Sequence, residues 1–390
     1  MTTPTPGPAP IPAPAGRPTA ATLDEDLASP VLAALGLDDR VAALLRAAAA
    51  AVPERAAAGA ARRAARVVRV DRGRAHLATA DGPVAAATRT LAGRRAGAGA
   101  ALVTGDWLVW AADADEGPAV LARLEPRTAL VRRVAQDDLS QQQELATWVD
   151  VVAVVVPLDV EPSVNRLERT LAVAWQSGAR PLVVATKADV VADAAAEREL
   201  LERSSGGADV LVTSTATGEG LDALRRALGT GTVVLLGPSG AGKSSLVNAL
   251  VGQDVQVVAG VRAGDGRGRH TTTARELVPL PGGGVLLDTP GVRGLGLWET
   301  SSGLDRAFED VAALAARCRF ADCSHAAEPG CAVTAALESG ELSERRWRSH
   351  QKLQREAAAL AVRHDSRLRR EEARARNRAV RLTAGPTRHR

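Results

Sequence analysis

The run Gly237-Pro238-Ser239-Gly240-Ala241-Gly242-Lys243-Ser244 has the spacing Gly-x4-Gly-Lys-Ser, and it lies between an apolar strand-like run and a helix-like one. That context makes it a phosphate-binding loop. Backbone N–H groups from Ser239 to Ser245 would cradle α- and β-phosphates at a helix N-terminus, where four amide donors are left free. Lys243 would reach the β- and γ-oxygens, and the Ser244 hydroxyl would ligate Mg²⁺. Upstream, Thr186-Lys187-Ala188-Asp189 ends another apolar run. There Asp189 would accept hydrogen bonds from a guanine ring N–H and exocyclic amine, with the Lys187 stem along the base. Adenine lacks that donor pair and would leave the carboxylate unpaired. Ser214-Thr215, before Gly218-Glu219-Gly220, fits a last base-contacting loop. Downstream, Asp288-Thr289-Pro290-Gly291 would place Asp288 in the outer shell of Mg²⁺ and the Gly291 amide on a γ-phosphate.

These are the parts of a GTP site in an unusual order. The phosphate loop ordinarily precedes the base reader; here the base reader leads. A circular permutation leaves such a site intact if the original termini lay close together. Between the phosphate loop and Asp288, the run Gly268-Arg269-His270-Thr271-Thr272-Thr273 occupies the place of a first switch. Thr272 is expected to ligate Mg²⁺. Val292 follows Gly291 where many GTPases carry a water-orienting Gln, so unaided hydrolysis is expected to be slow. His270 is the local candidate for positioning the water.

A second constellation lies near the C-terminus. All three cysteines of the chain, Cys318, Cys323 and Cys331, fall within 14 residues, with His325 between them. Three thiols and one imidazole are the ligand types and number of a closed tetrahedral zinc site. With no position open to water, that zinc would be structural, organising a domain too small to bury its own core. Lysine is equally concentrated: only Lys187, Lys243 and Lys352 occur among 49 basic residues, and two sit in the nucleotide motifs. A slim ammonium stem fits there where a guanidinium fork does not.

The elements that must position these groups follow from pattern. Residues 1–55 read as a Pro/Ala-rich disordered arm followed by a helical stretch, Leu32 to Val52. Residues 56–136 alternate short β-prone runs with turns, as in a small β-barrel of the oligonucleotide-binding (OB-fold) type. Its Arg62, Arg63, Arg66, Arg69, Arg72, Arg74, Arg94 and Arg95, with Trp107 and Trp110, suit RNA contact; the alternative is an ordinary core and a solvated face. Residues 137–300 read as an α/β GTPase domain. Buried-type strands run over Val149–Pro157, Pro181–Ala185, Val210–Val212, Val233–Leu236 and Val285–Leu287, with a helix from Arg166 to Gln176. Residues 301–362 form the zinc-binding helical domain. A basic tail, 363–390, completes the chain. Arg345-Arg346-Trp347 and the tail suit phosphate contacts or a solvated helix. A net charge of +4, the lack of a bilayer-length apolar run and of signal-peptide features suggest a soluble cytoplasmic protein.

Taken together, the rotated motif order, Thr104-Gly105-Asp106-Trp107, the phosphate loop through Ser245, residues 268–273, Asp288-Thr289-Pro290-Gly291-Val292-Arg293 and the Cys/His cluster resemble the RsgA (YjeQ) family of circularly permuted GTPases. The resemblance spans about residues 60–360. It implies an OB-fold barrel, a permuted P-loop GTPase core and a C-terminal zinc domain. It also implies a GTP hydrolase that binds the immature small ribosomal subunit and its rRNA late in assembly, is stimulated by that subunit, and needs no membrane. A monomer is expected, with one structural Zn²⁺, and Mg²⁺ accompanying GTP or GDP. Departures are Thr186 where Asn is usual, Thr215 where Ala is usual, and the first 55 residues. A factor that places itself on RNA and holds GTP as a structural ligand is the alternative; such a module would show no subunit-stimulated turnover. A P-loop ATPase or small-molecule kinase is disfavoured by Asp189.

Overall fold

The chain opens, among the described residues, with three helices whose starts are each set by a side-chain cap. The computed structural model describes residues 22–53, 60–71, 73–87, 101–113, 117–136, 139–252, 275–288, 301–326, 328–359 and 361–362. Helix α1 (Leu23–Leu27) starts with a capping box between Thr22 and Glu25. Helix α2 (Pro30–Ala34) is capped by Ser29 and has proline at its first position. Helix α3 (Asp39–Ala51) begins where Asp38 accepts the Val41 N–H at 2.7 Å. The expected helical stretch from Leu32 to Val52 is therefore two helices. The break is at Gly36, whose φ is +87°, and a Cβ there would lie 3.0 Å from the Arg66 guanidinium.

Five strands follow: β1 (Arg63–Asp71), β2 (Arg74–Thr79), β3 (Gly82–Ala87), β4 (Trp107–Asp113) and β5 (Gly117–Arg123). They pair antiparallel in the spatial order β3-β2-β1-β4-β5. Among the described residues no ladder joins β3 to β5, so the expected barrel is present as an antiparallel sheet rather than a closed cylinder. Residues 88–100, which link β3 to β4, lie outside the described residues.

The charge reading of this region needs correcting at four positions. Trp107 and Trp110 are core residues, 1% and 2% exposed. Arg63 is buried and bound to the equally buried Asp26 of α1 through two bonds, at 2.8 and 2.6 Å, with a third to Asp81 at 2.8 Å. Arg66 is also buried. It donates to the Gly105 carbonyl, the Leu35 carbonyl and, at 2.7 Å, the Thr232 hydroxyl, and its guanidinium lies over the Trp107 ring. Burial pulls its pKa down to about 10, which still leaves it charged at neutral pH. None of these four side chains faces RNA.

A two-stranded hairpin, β6 (Ala129–Gln136) and β7 (Leu139–Thr147), precedes the α/β core. That core comprises β8 (Val151–Pro157), α4 (Val164–Gln176), β9 (Arg180–Thr186), α5 (Ala194–Glu202), β10 (Asp209–Val212), α6 (Leu221–Leu228), β11 (Thr232–Leu236), α7 (Lys243–Val251), β12 (Glu276–Pro279) and β13 (Val285–Asp288). Its order is β10-β9-β8-β11-β13-β12, parallel except for β12. Alternation along β8 divides the apolar residues between two layers. Val152, Val154 and Val156 face the α4 side with Leu167 and Leu171; Val151, Ala153 and Val155 face α6 and α7 with Leu224 and Leu246. Strands covered on both faces are continuously apolar, which is why the sequence located them. The pairing Arg69↔Glu276 then joins β12 to β1, so one sheet runs from the core into the N-terminal strands.

The C-terminal region consists of α8 (Ser301–Ala307), α9 (Glu309–Ala315), α10 (Ala332–Ser339) and α11 (344–359). It docks on α4. Gly303 is required at that crossing, since a Cβ would lie 2.5 Å from the Ala172 carbonyl oxygen. The fully buried Glu168 of α4 accepts from Arg346 at 2.8 Å, Ser349 at 2.6 Å and Arg345 at 3.1 Å. Arg346 also binds Asp310 and stacks on Phe308. The expected phosphate-contacting role of Arg345-Arg346-Trp347 therefore fails for Arg346 and Trp347, which are interior.

Asp26→Ala would leave the Arg63 guanidinium buried with only Asp81, which should cost about 3–5 kcal/mol in denaturant unfolding. A loss no larger than the ~0.5 kcal/mol of a surface substitution would show that α1 is not anchored there.

Candidate functional site

In a parallel sheet, ligands sit beyond the carboxyl ends of the strands, where the strand order reverses. Here the reversal is at β8. The chain runs outward from β8 to β9 and β10, then returns to place β11 on the other side of β8. The ends of β9, β8 and β11 therefore lie side by side, and those of β9 and β11 lead into motif residues.

The loop after β11 is shaped by close approach. A Cβ on Gly237 would lie 2.5 Å from the Val155 carbonyl oxygen, so the chain can cross the end of β8 there only as glycine. Gly240 and Gly242 take φ of +78° and +83°, conformations open to glycine. Pro238 accepts the Ala241 N–H at 3.3 Å, Ala241 is fully buried, and Ser239 and Gly240 form the exposed crown. Gly242 caps α7 with no side chain over its first amides, and Ser244 and Ser245 lie in the first turn. Lys243 arches over the loop, donating to the Gly237 carbonyl at 2.9 Å and the Pro238 carbonyl at 2.6 Å.

Thr186, which stands where Asn is usual, ties two motifs together. Its buried hydroxyl donates to the Ala241 carbonyl at 2.8 Å, binding the end of β9 to the phosphate loop. Its own carbonyl accepts the Leu158 N–H at 3.0 Å, which fastens the end of β8 as well. Lys187 then takes a left-handed backbone conformation, φ +63°, and its ammonium reaches Asp159 just beyond β8 at 2.6 Å. Ala188 is buried and donates to the Thr213 carbonyl at 3.1 Å. The exposed Asp189 carboxylate accepts the Ser214 hydroxyl. Ser214 is itself fully buried, and its oxygen accepts the Ala216 and Thr217 amides at 3.2 Å. Thr215, the next residue, is exposed. The base-reading segment and the Ser214 loop are thus one hydrogen-bonded unit.

Of the remaining expected nucleotide residues, Asp288 is the last residue of β13, paired through its backbone with Glu276. His270, Thr272 and Gly291 lie outside the described residues.

The Cys/His cluster forms as the spacing suggests. The ligand atoms of Cys318, Cys323, His325 and Cys331 all lie within 4.8 Å of one another. His325 Nδ1 is 3.5 Å from the sulfurs of both Cys318 and Cys331, and those sulfurs are 3.9 Å apart. Tetrahedral zinc with the usual bond lengths needs edges of about 3.6 Å between nitrogen and sulfur and about 3.8 Å between sulfurs. The set fits. His325 turns its ring inward through a left-handed backbone, φ +59°, and the ring meets Trp347 edge-on at 5.8 Å. Burial pushes the Cys331 thiol up, but donation from Thr334 and His325 outweighs it and brings its pKa down to about 6.

Two neighbours escaped the sequence, Asp159 and Glu168, which belong to no motif, and Arg66 was singled out only as a surface arginine. The signal for Asp159 was its place at the end of a buried strand next to the base reader's strand. Glu168 and Arg66 are charged residues within apolar-faced elements, a pattern shared by solvated surfaces.

This geometry defines a GTPase of permuted order with an appended helical region that carries a Cys₃His cluster. The sequence model of the RsgA GTPase family matches residues 124–298. The small ribosomal subunit biogenesis GTPase RsgA of Streptomyces avermitilis is 48% identical over 311 residues, covering 79% of this chain and 83% of that protein. The protein of the same description from Opitutus terrae is 49% identical over 253 residues, 64% of this chain and 69% of its own. Among solved structures, YjeQ from Thermotoga maritima matches with a TM-score of 0.56 at 25% identity, covering 76% of this chain and 99% of that one. YloQ, described as a circularly permuted GTPase, matches with a TM-score of 0.54 at 22% identity and supports the fold. The chain belongs to the RsgA GTPase family.

If the cluster holds zinc, metal analysis of the purified protein should find one zinc per chain, and Cys323→Ser should bring it close to none. Amide exchange should then rise across 309–342 while α7 stays protected, because structural zinc contributes about 10–16 kcal/mol to small domains of this kind. Unchanged exchange in the metal-free variant would show that packing on α4 suffices without the ion.

Proposed function

We propose that this chain is a GTPase of small ribosomal subunit maturation, hydrolysing GTP to GDP and phosphate and using its nucleotide state to time release from the subunit. The observation that carries this reading is the Thr186–Ala241 hydrogen bond, which draws the base reader and the phosphate loop into one site despite their reversed order. The names of the relatives, which describe small-subunit biogenesis, supply the partner.

In this reading the amides from Ser239 to Ser245 bind the α- and β-phosphates, and Lys243 leaves the loop carbonyls to meet the β- and γ-oxygens. Asp189, Lys187 and the Ser214-Thr215 loop hold guanine. Ser244 and Thr272 would hold Mg²⁺, with Asp288 behind them in its outer shell, and the Gly291 amide would meet the γ-phosphate. Mg²⁺ would supply charge neutralisation at the phosphates. His270 positions the water, since Val292 cannot. Strands β1–β5 act as an OB-fold rRNA-binding domain. Their basic contacts come from residues other than Arg63 and Arg66, which are committed inside. The Cys₃His site holds structural zinc, and the protein works as a cytoplasmic monomer; no helix among the described residues is long and apolar enough to cross a membrane.

Two measurements test this. GTP turnover should rise by an order of magnitude or more when purified small subunits are added; equal turnover with and without them would favour a placement factor that holds GTP as a structural ligand. Asp189→Asn should exchange an acceptor for a donor facing the guanine amine. GTP should then bind roughly 10²-fold more weakly, with xanthine nucleotides preferred. Wild-type GTP affinity in that variant would overturn the base reader.

A further inference from the structure

We infer that Asp159 is a positioning residue of the nucleotide site: it holds the Lys187 ammonium so that the lysine stem forms one wall of the purine slot. The inference rests on the proposed guanine site and adds a residue that no nucleotide-binding motif contains.

Four observations carry it. Asp159 stands just beyond the end of β8, the strand at which the sheet order reverses, with β9 on one side and β11 on the other. Its backbone is tied to the base-reading strand by the adjacent Leu158 N–H bond to the Thr186 carbonyl, at 3.0 Å. Lys187 takes φ +63°, a left-handed conformation uncommon outside glycine, which turns its side chain toward β8. Its ammonium then ends 2.6 Å from the Asp159 carboxylate, in a pair whose side chains are 29% and 38% exposed.

The chemistry of the pair suits a wall better than a clamp. A lysine stem left free samples many rotamers, and ordering it when a base arrives costs up to about 2 kcal/mol of side-chain entropy. An anchored ammonium meets that cost before the ligand binds. The opposite side of the segment is arranged the same way, with Ser214 bonded to the Asp189 carboxylate. The two charged groups of Thr186-Lys187-Ala188-Asp189 are therefore each held by a neighbouring strand end, β8 for the lysine and β10 for the aspartate. An ion pair this exposed does little for global stability, where such pairs contribute at most about 1 kcal/mol. Its effect falls on the geometry of the slot.

The test is equilibrium binding of GDP by calorimetry, using the full-length protein. Asp159→Asn keeps the size and removes the charge. It should raise the GDP dissociation constant about three- to fivefold at low salt with the melting temperature unchanged, and the difference should shrink at high salt as the wild-type pair is screened. Asp159→Glu should recover part of the loss. Lys187→Met keeps an apolar stem without the ammonium, and adding Asp159→Asn to it should change nothing further, since the interaction is already gone. Unchanged GDP affinity in Asp159→Asn overturns the inference, as does an equal loss in the Lys187→Met background. Asp189→Asn in the same assay separates this outcome from failure of the base reader. If Asp189→Asn weakens GDP while Asp159→Asn does not, only the positioning role falls; if neither variant weakens it, both readings fall.

Discussion

The parallel pairing of β8 with both β9 and β11 is the constraint on which the rest of the molecule depends. Its registers, Val151 with Arg180 on one side and with Val233 on the other, bring the ends of β8 and β9 level and end β11 earlier, opposite Val154. The level ends put Lys187 within reach of Asp159, and the early end of β11 lets the phosphate loop cross beside them, where Thr186 reaches Ala241. The permuted chain order has no bearing on this geometry, because pairing depends on strand neighbours and not on which strand was made first. What permutation changes is the traffic at the ends. The chain now enters the core from β1–β7 and leaves it from β13 toward α8, so both appended parts adjoin the nucleotide core.

Those parts are joined to the core by buried charge as much as by apolar contact. Arg66 links α2, the Gly105 turn and the first residue of β11 through one guanidinium. Arg63 ties α1 to β1, and Glu168 ties α4 to α11. Replacing such pairs with well-packed apolar groups is often neutral or stabilising, whereas removing one partner costs about 3–5 kcal/mol. Their value is therefore in specifying geometry. A guanidinium with three fixed acceptors permits one arrangement of the elements around it; a leucine there would tolerate several.

The same residues show why the sequence was legible in one half and not in the other. Strands β8, β9, β11 and β13 could be placed to within a residue or two because both faces are covered and the runs are continuously apolar. The phosphate loop and the Cys/His cluster were legible because their spacing is local. Arg63 and Arg66 alternate with apolar residues in the way a solvated basic face does. Only partners far away in the chain, Asp26 and Thr232, distinguish a buried arginine from an exposed one. Strand β12 is a half-exposed antiparallel element, and the Gln- and Ser-containing stretch of β7 carries no period that marks a strand. Closure of β1–β5 depends on contacts between strands distant in sequence, which short β-prone runs do not encode.

Helix α4 connects the two chemical sites. Its N-cap, Ser163, lies four residues after Asp159, and one turn further on Glu168 receives the C-terminal helix. Coupling energies between sites in proteins are typically about 1–3 kcal/mol. Separating Arg346 from Glu168 would leave a charge buried without its partner, at about 3–5 kcal/mol, and would also uncover Leu304 and Phe308, which share the core with Leu171. The larger cost decides the matter. Nucleotide state is too weak a lever to detach the C-terminal helices from α4, so any movement it drives must carry α4 and those helices together.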